Sequence, residues 1–466
     1  MTNDLALLSA SEIASGVRSK AFSAAAVARA TLDRLEAINP VINAFTLVTA
    51  ERALSEADAV DEAVESGRDP GPLAGVPYSV KNLFDLAGEV TVAGSIINKD
   101  YPPATADATS VARLKEAGAV CLGATNMGEY AYDFSTINSH YGATKNPHDL
   151  SRSAGGSSGG SGAAVAAGLG AFSLGTDTNG SVRVPSSFCG IWGLKPGYGR
   201  LSRAGAFLFA GSLDTIGVLG RSVADLAASA DVIDGPDPRD PVCVHDPHPS
   251  FASTLDQGID GLRIAKLGGY FSRDWTDEIA DALEQVTDAL GVTAQTELPN
   301  PELARAAAYT ITAAEGGELH LERLKLRAAD FDPSSRDRFI AGALAPTAWY
   351  MQAQRFRSWF KAHMAAVFEH HDVLVAPATP MVAPKLDQNT FTLDGAEHLL
   401  KPNIGILTQP ITLIGLPVVA APVHSPGRLP TAIQLIGRPG SEATLLRVAR
   451  ALEANGACAA PTSTPA

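Results

Sequence analysis

The feature that most constrains the fold is a stretch of small residues that begins at Ser151. Ten of its first twelve residues (SRSAGGSSGGSG) are Gly or Ser. Such runs elsewhere serve as flexible linkers. This one continues without a break into AAVAAGLGAFSLGTD, ending at Asp177, and these small apolar residues suit close packing against a helix or sheet. It is therefore read as the interior of a folded unit. The same run is not a phosphate cradle, because no Gly-Lys-Ser/Thr follows it. Gly155 to Gly159 satisfies the loose pattern GxSxG of an α/β-hydrolase nucleophile elbow, but none of the ten histidines stands in a context that marks it as a partner.

Around this stretch the periodicity alternates between helix and strand. Ser9 or Ser11 is positioned to cap a short helix through Ile13, and Ser23 a second one carrying Val27, Leu32, Leu35 and Ile38 at helical spacing. Residues 51–65 read as a polar, Ala-rich surface helix, so residues 1–65 form an N-terminal helical segment. Residues 73–86 and 119–122 read as strands with a helix at 109–117 between them, and such alternation continues to about residue 225. That pattern predicts an α/β sheet covered on both faces. A Pro/Asp-rich run at 234–249 reads as a connection. Residues 303–369 are largely helical, strands follow at 373–376 and 418–421, and the Ala/Pro/Thr/Ser tail at 459–466 is expected to be disordered. With no internal repeat, one catalytic unit is a better reading than three separable domains.

Composition excludes several function classes. A formal net charge of −14 opposes a nucleic-acid binder, whose footprint is a basic face, and opposes docking on anionic lipid. Cys121, Cys189, Cys243 and Cys458 are scattered, with no CxxC pair, and read as reduced, mostly buried thiols. The first sixteen residues lack a basic region followed by an apolar one, so no signal peptide is expected, and the protein reads as cytoplasmic. His370-His371 lacks the i, i+4 spacing of metal ligands on a helix, so neither metal nor cofactor is expected.

Two further segments carry chemistry. After Asp177, Thr-Asn-Gly makes a turn that ends at Ser181; such a turn is either an ordinary capped strand-to-helix junction or one that aims consecutive backbone N–H groups at an oxyanion. Lys81 stands in LAGVPYSVKN, residues 73–82. A lysine amid apolar residues snorkels to the surface by default. Buried instead, it loses its charge more readily and can act as a general base through a bridging serine.

Taken together, LAGVP with Lys81, the GGSSGG run at 155–160 and GTDTNGSVRVPSSFCGIWGLKP at 175–196 resemble the amidase signature family, most strongly over residues 73–196. The resemblance implies a single α/β/α domain over residues 1–466 around a central, mixed, twisted sheet. It also implies a Ser-Ser-Lys triad: Ser181 the acylated nucleophile, Ser157 the bridging serine on a cis peptide, Lys81 the base. Backbone N–H groups of Thr178, Asn179, Gly180 and Ser181 match the oxyanion loop, while Ser158, Asp177 and Arg183 match positions that hold the loops and the lysine. The family mostly reads Gly-Gly-Ser where this chain has Asn179-Gly180-Ser181, so an additional side chain stands at the pocket.

Within the family the chain is most similar to the enzymes that hydrolyse 1-carboxybiuret in bacterial cyanuric acid breakdown, which pair with a small helical subunit. The resemblance rests on residues 176–181, 138–142, 146–149 and 334–357. It implies a small anionic ureide substrate and an oligomer that includes a small helical partner subunit. Glutamine-dependent tRNA amidotransferase catalytic subunits are also similar. Alignment with them puts Tyr309 and Arg357 on the pair that holds the glutamine carboxylate, while the acid that holds its amine falls near Ser425–Arg428, where this chain has none. That combination implies a pocket for a carboxylate without an ammonium. A purine-ureide amidase and a non-catalytic assembly subunit remain the other readings.

Overall fold

The alternating segments assemble into one eleven-stranded mixed sheet. The computed structural model describes residues 5–244, 248–273 and 275–465; residues 1–4, part of the 234–249 connection (245–247) and the last residue of the tail lie outside the described residues. From one edge, the strands run Phe45–Val48, Val120–Thr125, Pro77–Lys81, Phe172–Asp177, Thr215–Gly220 and Trp192–Lys195. The order continues Val418–Val423, Thr431–Gly437, Val373–Pro377, Ile264–Leu267 and Ala294–Thr296. Strands 120–125, 77–81 and 172–177 are mutually parallel, as are 373–377, 264–267 and 294–296; antiparallel pairs join these groups.

Strands 77–81, 120–125, 172–177 and 215–220 are buried at every position. Helices on both faces require that, and it explains their continuous apolar runs where a half-exposed strand would alternate. Because 77–81 and 172–177 are parallel, their carboxyl ends lie at the same edge of the sheet, where open α/β sheets bind ligands. Lys81 ends one strand and Asp177 the other.

Local signals account for several elements. Ser9 forms a reciprocal capping box with Glu12, and the Ser23 hydroxyl accepts from Ala26 N–H. The N-terminal segment is not wholly helical, however. Phe45–Val48 is an edge strand paired with 120–125, four residues being too short to show a period. The helix at Ala50–Glu65 is amphipathic and buries Ala53, Glu56, Ala57 and Val60. The long helical region is divided into Pro301–Leu319, Leu321–Arg327, Pro333–Ala343 and Thr347–His370. In the connection, Asp234 pairs with Arg200 at 2.6 Å and Asp240 with Arg203 at 2.9 Å, so these two acids tie it to the segment before the strand at 215–220. The tail, expected to be disordered, follows a defined path: Ser463 N–H donates to the Ala166 carbonyl at 2.8 Å and its Oγ to that of Pro147 at 3.0 Å. All four cysteines are buried free thiols, and among the described residues no helix is long and apolar enough to cross a membrane.

The Gly/Ser run becomes the helix Gly159–Ala166, whose first turn presses on backbone. Gly160 N–H donates to Asn126 O at 3.0 Å, and a Cβ on Gly160 would lie 2.5 Å from both Ala44 O and Asn126 N. Main chain on both sides cannot yield as a flexible side chain would. Gly160→Ala is therefore expected to lower stability by ~1–3 kcal/mol, read as an earlier midpoint in denaturant unfolding. Gly211→Ala, where nothing lies within 4 Å of the added carbon, is expected to stay within about 0.5 kcal/mol of the parent.

Candidate active site

The carboxyl ends of strands 77–81 and 172–177 bring Lys81 beside the start of the Gly/Ser helix. Lys81 is completely buried, and its Nζ donates to Ser157 Oγ at 2.7 Å and to Thr176 Oγ1 at 2.8 Å. Burial pushes the ammonium down to about 7, against the opposing pull of Asp214 and Asp177. The peptide bond between Gly156 and Ser157 is cis. Ser157 O accepts from Gly128 N–H at 3.3 Å and from Thr136 Oγ1 at 3.4 Å, which fixes the serine from the opposite side. Ser158 Oγ holds Thr176 at both its carbonyl (3.2 Å) and its N–H (3.3 Å).

Ser181 follows the turn after Asp177 and lines a narrow cavity with Tyr132, Asn179, Phe209, Tyr309 and Arg338. Its Oγ makes no hydrogen bond among the described residues, to Ser157 or to any other group. Nor do the backbone N–H groups of Thr178, Asn179, Gly180 and Ser181 find an acceptor among them. Four free donors beside a hydroxyl make a site able to hold a developing oxyanion. The loop is pinned from behind, since Thr408 Oγ1 donates to Asn179 O at 2.5 Å.

Asp177 and Arg183 form a wholly buried ion pair, with Nε to Oδ2 and Nη2 to Oδ1 both at 2.9 Å. Burial pushes the Asp177 carboxyl up, and the Arg183 guanidinium more than offsets it, holding the group below the usual carboxylate range. Asp177 Oδ2 also accepts from Val182 N–H at 3.2 Å, which shapes the turn around Ser181.

Sequence reasoning missed several residues. Thr176 is visible in the quoted motif, yet its contact with Lys81 is not. Asp214 lies just before the strand at Thr215, which pairs directly with Asp177; it accepts from Thr178 Oγ1 at 2.6 Å, and burial pushes its carboxyl up. No local signal marks it. Lys195 is a second buried lysine lowered to about 7 by desolvation, but its Nζ rests on the Pro196 carbonyl and it does not line the cavity.

Two expectations about the pocket are corrected. Tyr309 lines the cavity, but Arg357 does not: it lies in a separate cleft with Tyr198 and Arg200, bonded to Ser212 O at 2.8 Å and Ser212 Oγ at 3.2 Å. The cationic side chain on the cavity wall is Arg338, from the helix 333–343, stacked 3.6 Å from the Tyr132 ring centroid. It lies inside the 334–357 stretch that carried the resemblance. Ser425–Arg428 is also away from the cavity, with Arg428 paired to Asp281 at the surface, so a missing acid there says nothing about the pocket. The acid on the wall is Asp133, whose carboxylate accepts the single hydroxyl hydrogen of Ser135, with Oγ 2.8 Å from either oxygen. No histidine lines the cavity, and among the described residues no cluster suited to a metal ion is found.

Known proteins of similar sequence and fold match nearly the whole chain. The family model described as Amidase matches residues 26–446. AtzE, a 1-carboxybiuret hydrolase subunit of Pseudomonas sp. strain ADP, is 49% identical over 96% of this chain and 98% of its own. A glutamyl-tRNA(Gln) amidotransferase subunit of Carboxydothermus hydrogenoformans is 40% identical over 97% of this chain and 98% of its own. A solved structure described as an unexpected vestigial protein complex that reveals the evolutionary origins of an s-triazine catabolic enzyme superposes with a TM-score of 0.95. It is 48% identical and covers 97% of this chain and 99% of that one. A bacterial aryl acylamidase gives a TM-score of 0.87 at 27% identity, with 96% of each chain covered. The chain belongs to the amidase family and is a hydrolase acting on amide C–N bonds.

Proposed function

We propose that the protein hydrolyses a small carboxylated ureide, 1-carboxybiuret, releasing ammonia through an acyl-enzyme on Ser181. The observation that carries the catalytic part is the lysine: Lys81 is buried, pushed down to about 7, and bonded to Ser157 beside the Ser181 cavity. In this reading Ser181 Oγ attacks the amide carbonyl while its proton passes to Ser157, whose own proton passes to neutral Lys81. The N–H groups of 178–181 hold the oxyanion. Collapse breaks the C–N bond, the proton returns through Ser157 to the leaving nitrogen, and ammonia departs. Water then hydrolyses the ester by the same relay. Ser158, Asp177 and Arg183 keep Thr176 and the turn in place.

The substrate assignment rests on the cavity and on the 49% identity to a 1-carboxybiuret hydrolase subunit. The cavity is narrow and its wall carries polar and charged side chains, which suits a small polar molecule. In place of the expected Tyr309–Arg357 pair, we assign Tyr309 and Arg338 to the substrate carboxylate, since a guanidinium fork matches it in two parallel hydrogen bonds. The reading includes a small partner subunit, supported by the subunit name of that relative and by the similar structure being a protein complex. It also places the enzyme in the cytoplasm.

Two measurements test it. Lysine accepts a proton only when neutral, and the neutral fraction grows as pH rises through about 7. The kcat/KM profile is therefore expected to climb with a one-proton slope below that pH and level off above it. Lys81→Met is expected to lose about 10²–10⁴-fold together with that limb, whereas Lys195→Met keeps the limb. A limb that survives Lys81→Met contradicts the assignment. For the substrate, Arg338→Lys is expected to lower kcat/KM for 1-carboxybiuret by about 10- to 100-fold, the range for a hydrogen bond to a charged group, and to affect neutral biuret little. Arg357→Lys is expected to change neither by more than about twofold. The reverse pattern contradicts the assignment of Arg338.

A further inference from the structure

Asn179 presents a hydrogen-bonding atom that the relay does not use. The residue is 7% exposed and lines the Ser181 cavity. Its Nδ2 donates to Thr312 Oγ1 at 2.8 Å, on the helix Pro301–Leu319. Thr312 Oγ1 in turn donates to the Ala308 carbonyl at 2.8 Å. A hydroxyl carries one hydrogen, and this one is engaged with Ala308, so toward Asn179 it can only accept. The amide is thereby fixed with its nitrogen toward Thr312; the flipped orientation would set two acceptors against each other. Asn179 Oδ1 is left buried with no partner among the described residues.

A buried acceptor without a donor is unfavourable until a ligand supplies one. The surrounding main chain cannot, because the neighbouring N–H groups belong to the turn that faces the reacting oxygen. We infer that Asn179 Oδ1 accepts a hydrogen bond from the substrate N–H attached to the scissile carbonyl on its acyl side. The site then reads a carbonyl flanked by nitrogen, as in a ureide, and disfavours an amide whose carbonyl is flanked by carbon, as in glutamine. This rests on the ureide reading above and assigns it to a residue. Thr312 is a positioning residue, acting only by holding the amide nitrogen.

Biuret and malonamide isolate the contact, since they differ chiefly in an NH or a CH2 between the two carbonyls. Neither carries a carboxylate, so the result is independent of Arg338. The quantity to follow is the ratio of kcat/KM for biuret to that for malonamide in the intact enzyme and its variants. The intrinsic reactivity of the two compounds cancels when that ratio is compared between proteins. Asn179→Ala, which keeps the backbone N–H, is expected to lower the ratio about tenfold or more, because a site built to bond an N–H discriminates strongly against the analogue lacking it. Thr312→Val, which leaves the Ser181 turn unaltered, is expected to lower it in the same direction by a smaller factor. An unchanged ratio in Asn179→Ala, or an equal loss on both compounds, overturns the inference. If the ratio falls while 1-carboxybiuret is not preferred over biuret, the carboxylate assignment fails and the Asn179 contact stands.

Discussion

The active region depends on one buried guanidinium. All five N–H donors of Arg183 are matched: two to Asp177, two from Nη1 to Thr408 O at 3.0 Å and Gln434 Oε1 at 2.9 Å, and one from Nη2 to Thr412 Oγ1 at 2.5 Å. A buried charge is tolerable only when paired and fully hydrogen-bonded, and here both conditions are met. The acceptors come from distant parts of the chain. Asp177 ends a strand of the first parallel group, Gln434 lies in a strand of the other half of the sheet, and Thr408 and Thr412 belong to the segment behind the Ser181 turn. The ion pair thus joins the two halves of the sheet at the point where the turn with four free N–H groups must be held rigid.

Burial acts differently on Lys81. Arg183 remains a cation because its partners compensate for the lost water, whereas Lys81 has two hydroxyls against Nζ and carboxylates acting only at longer range. A compact ammonium without an ion pair is the group that desolvation shifts most readily. The same dry interior therefore holds one cation charged as a brace and pushes another toward its neutral form. On the Lys81 side small residues matter: the Gly/Ser run lets the helix at 159–166 approach backbone closely, and Ser157 and Lys81 are fully buried beside it.

How much of this was legible in the chain depended on sequence distance. Lys81, Ser157, Ser158, Asp177, Ser181 and Arg183 lie in two short windows, one ending a strand and the other spanning a helix, a strand and a turn, and it is the resemblance of these windows to the amidase signature family that gives the residues their roles. Local spacing marked Ser23 as a cap and left Ser9 and Ser11 as alternatives, of which Ser9 is the cap. The far wall of the cavity was not. Whether Arg338 or Arg357 reaches it depends on how the helices 333–343 and 347–370 cross the helix 301–319, a tertiary angle that leaves no trace in periodicity. Antiparallel pairing of Thr215 with Asp177 brings Asp214 beside Thr178. The orphaned oxygen of Asn179 required knowing that the hydroxyl of Thr312, more than a hundred positions away, was already engaged.

The central claim is that Ser181 is the nucleophile, with Ser157 as a relay. It is tested most directly by reacting the protein with a serine-directed phosphonofluoridate and locating the adduct by peptide mass spectrometry. The account predicts a single adduct on the peptide bearing Ser181, absent from Ser181→Ala and formed more slowly in Lys81→Met. An adduct on Ser157, or labelling that persists in Ser181→Ala, would contradict it.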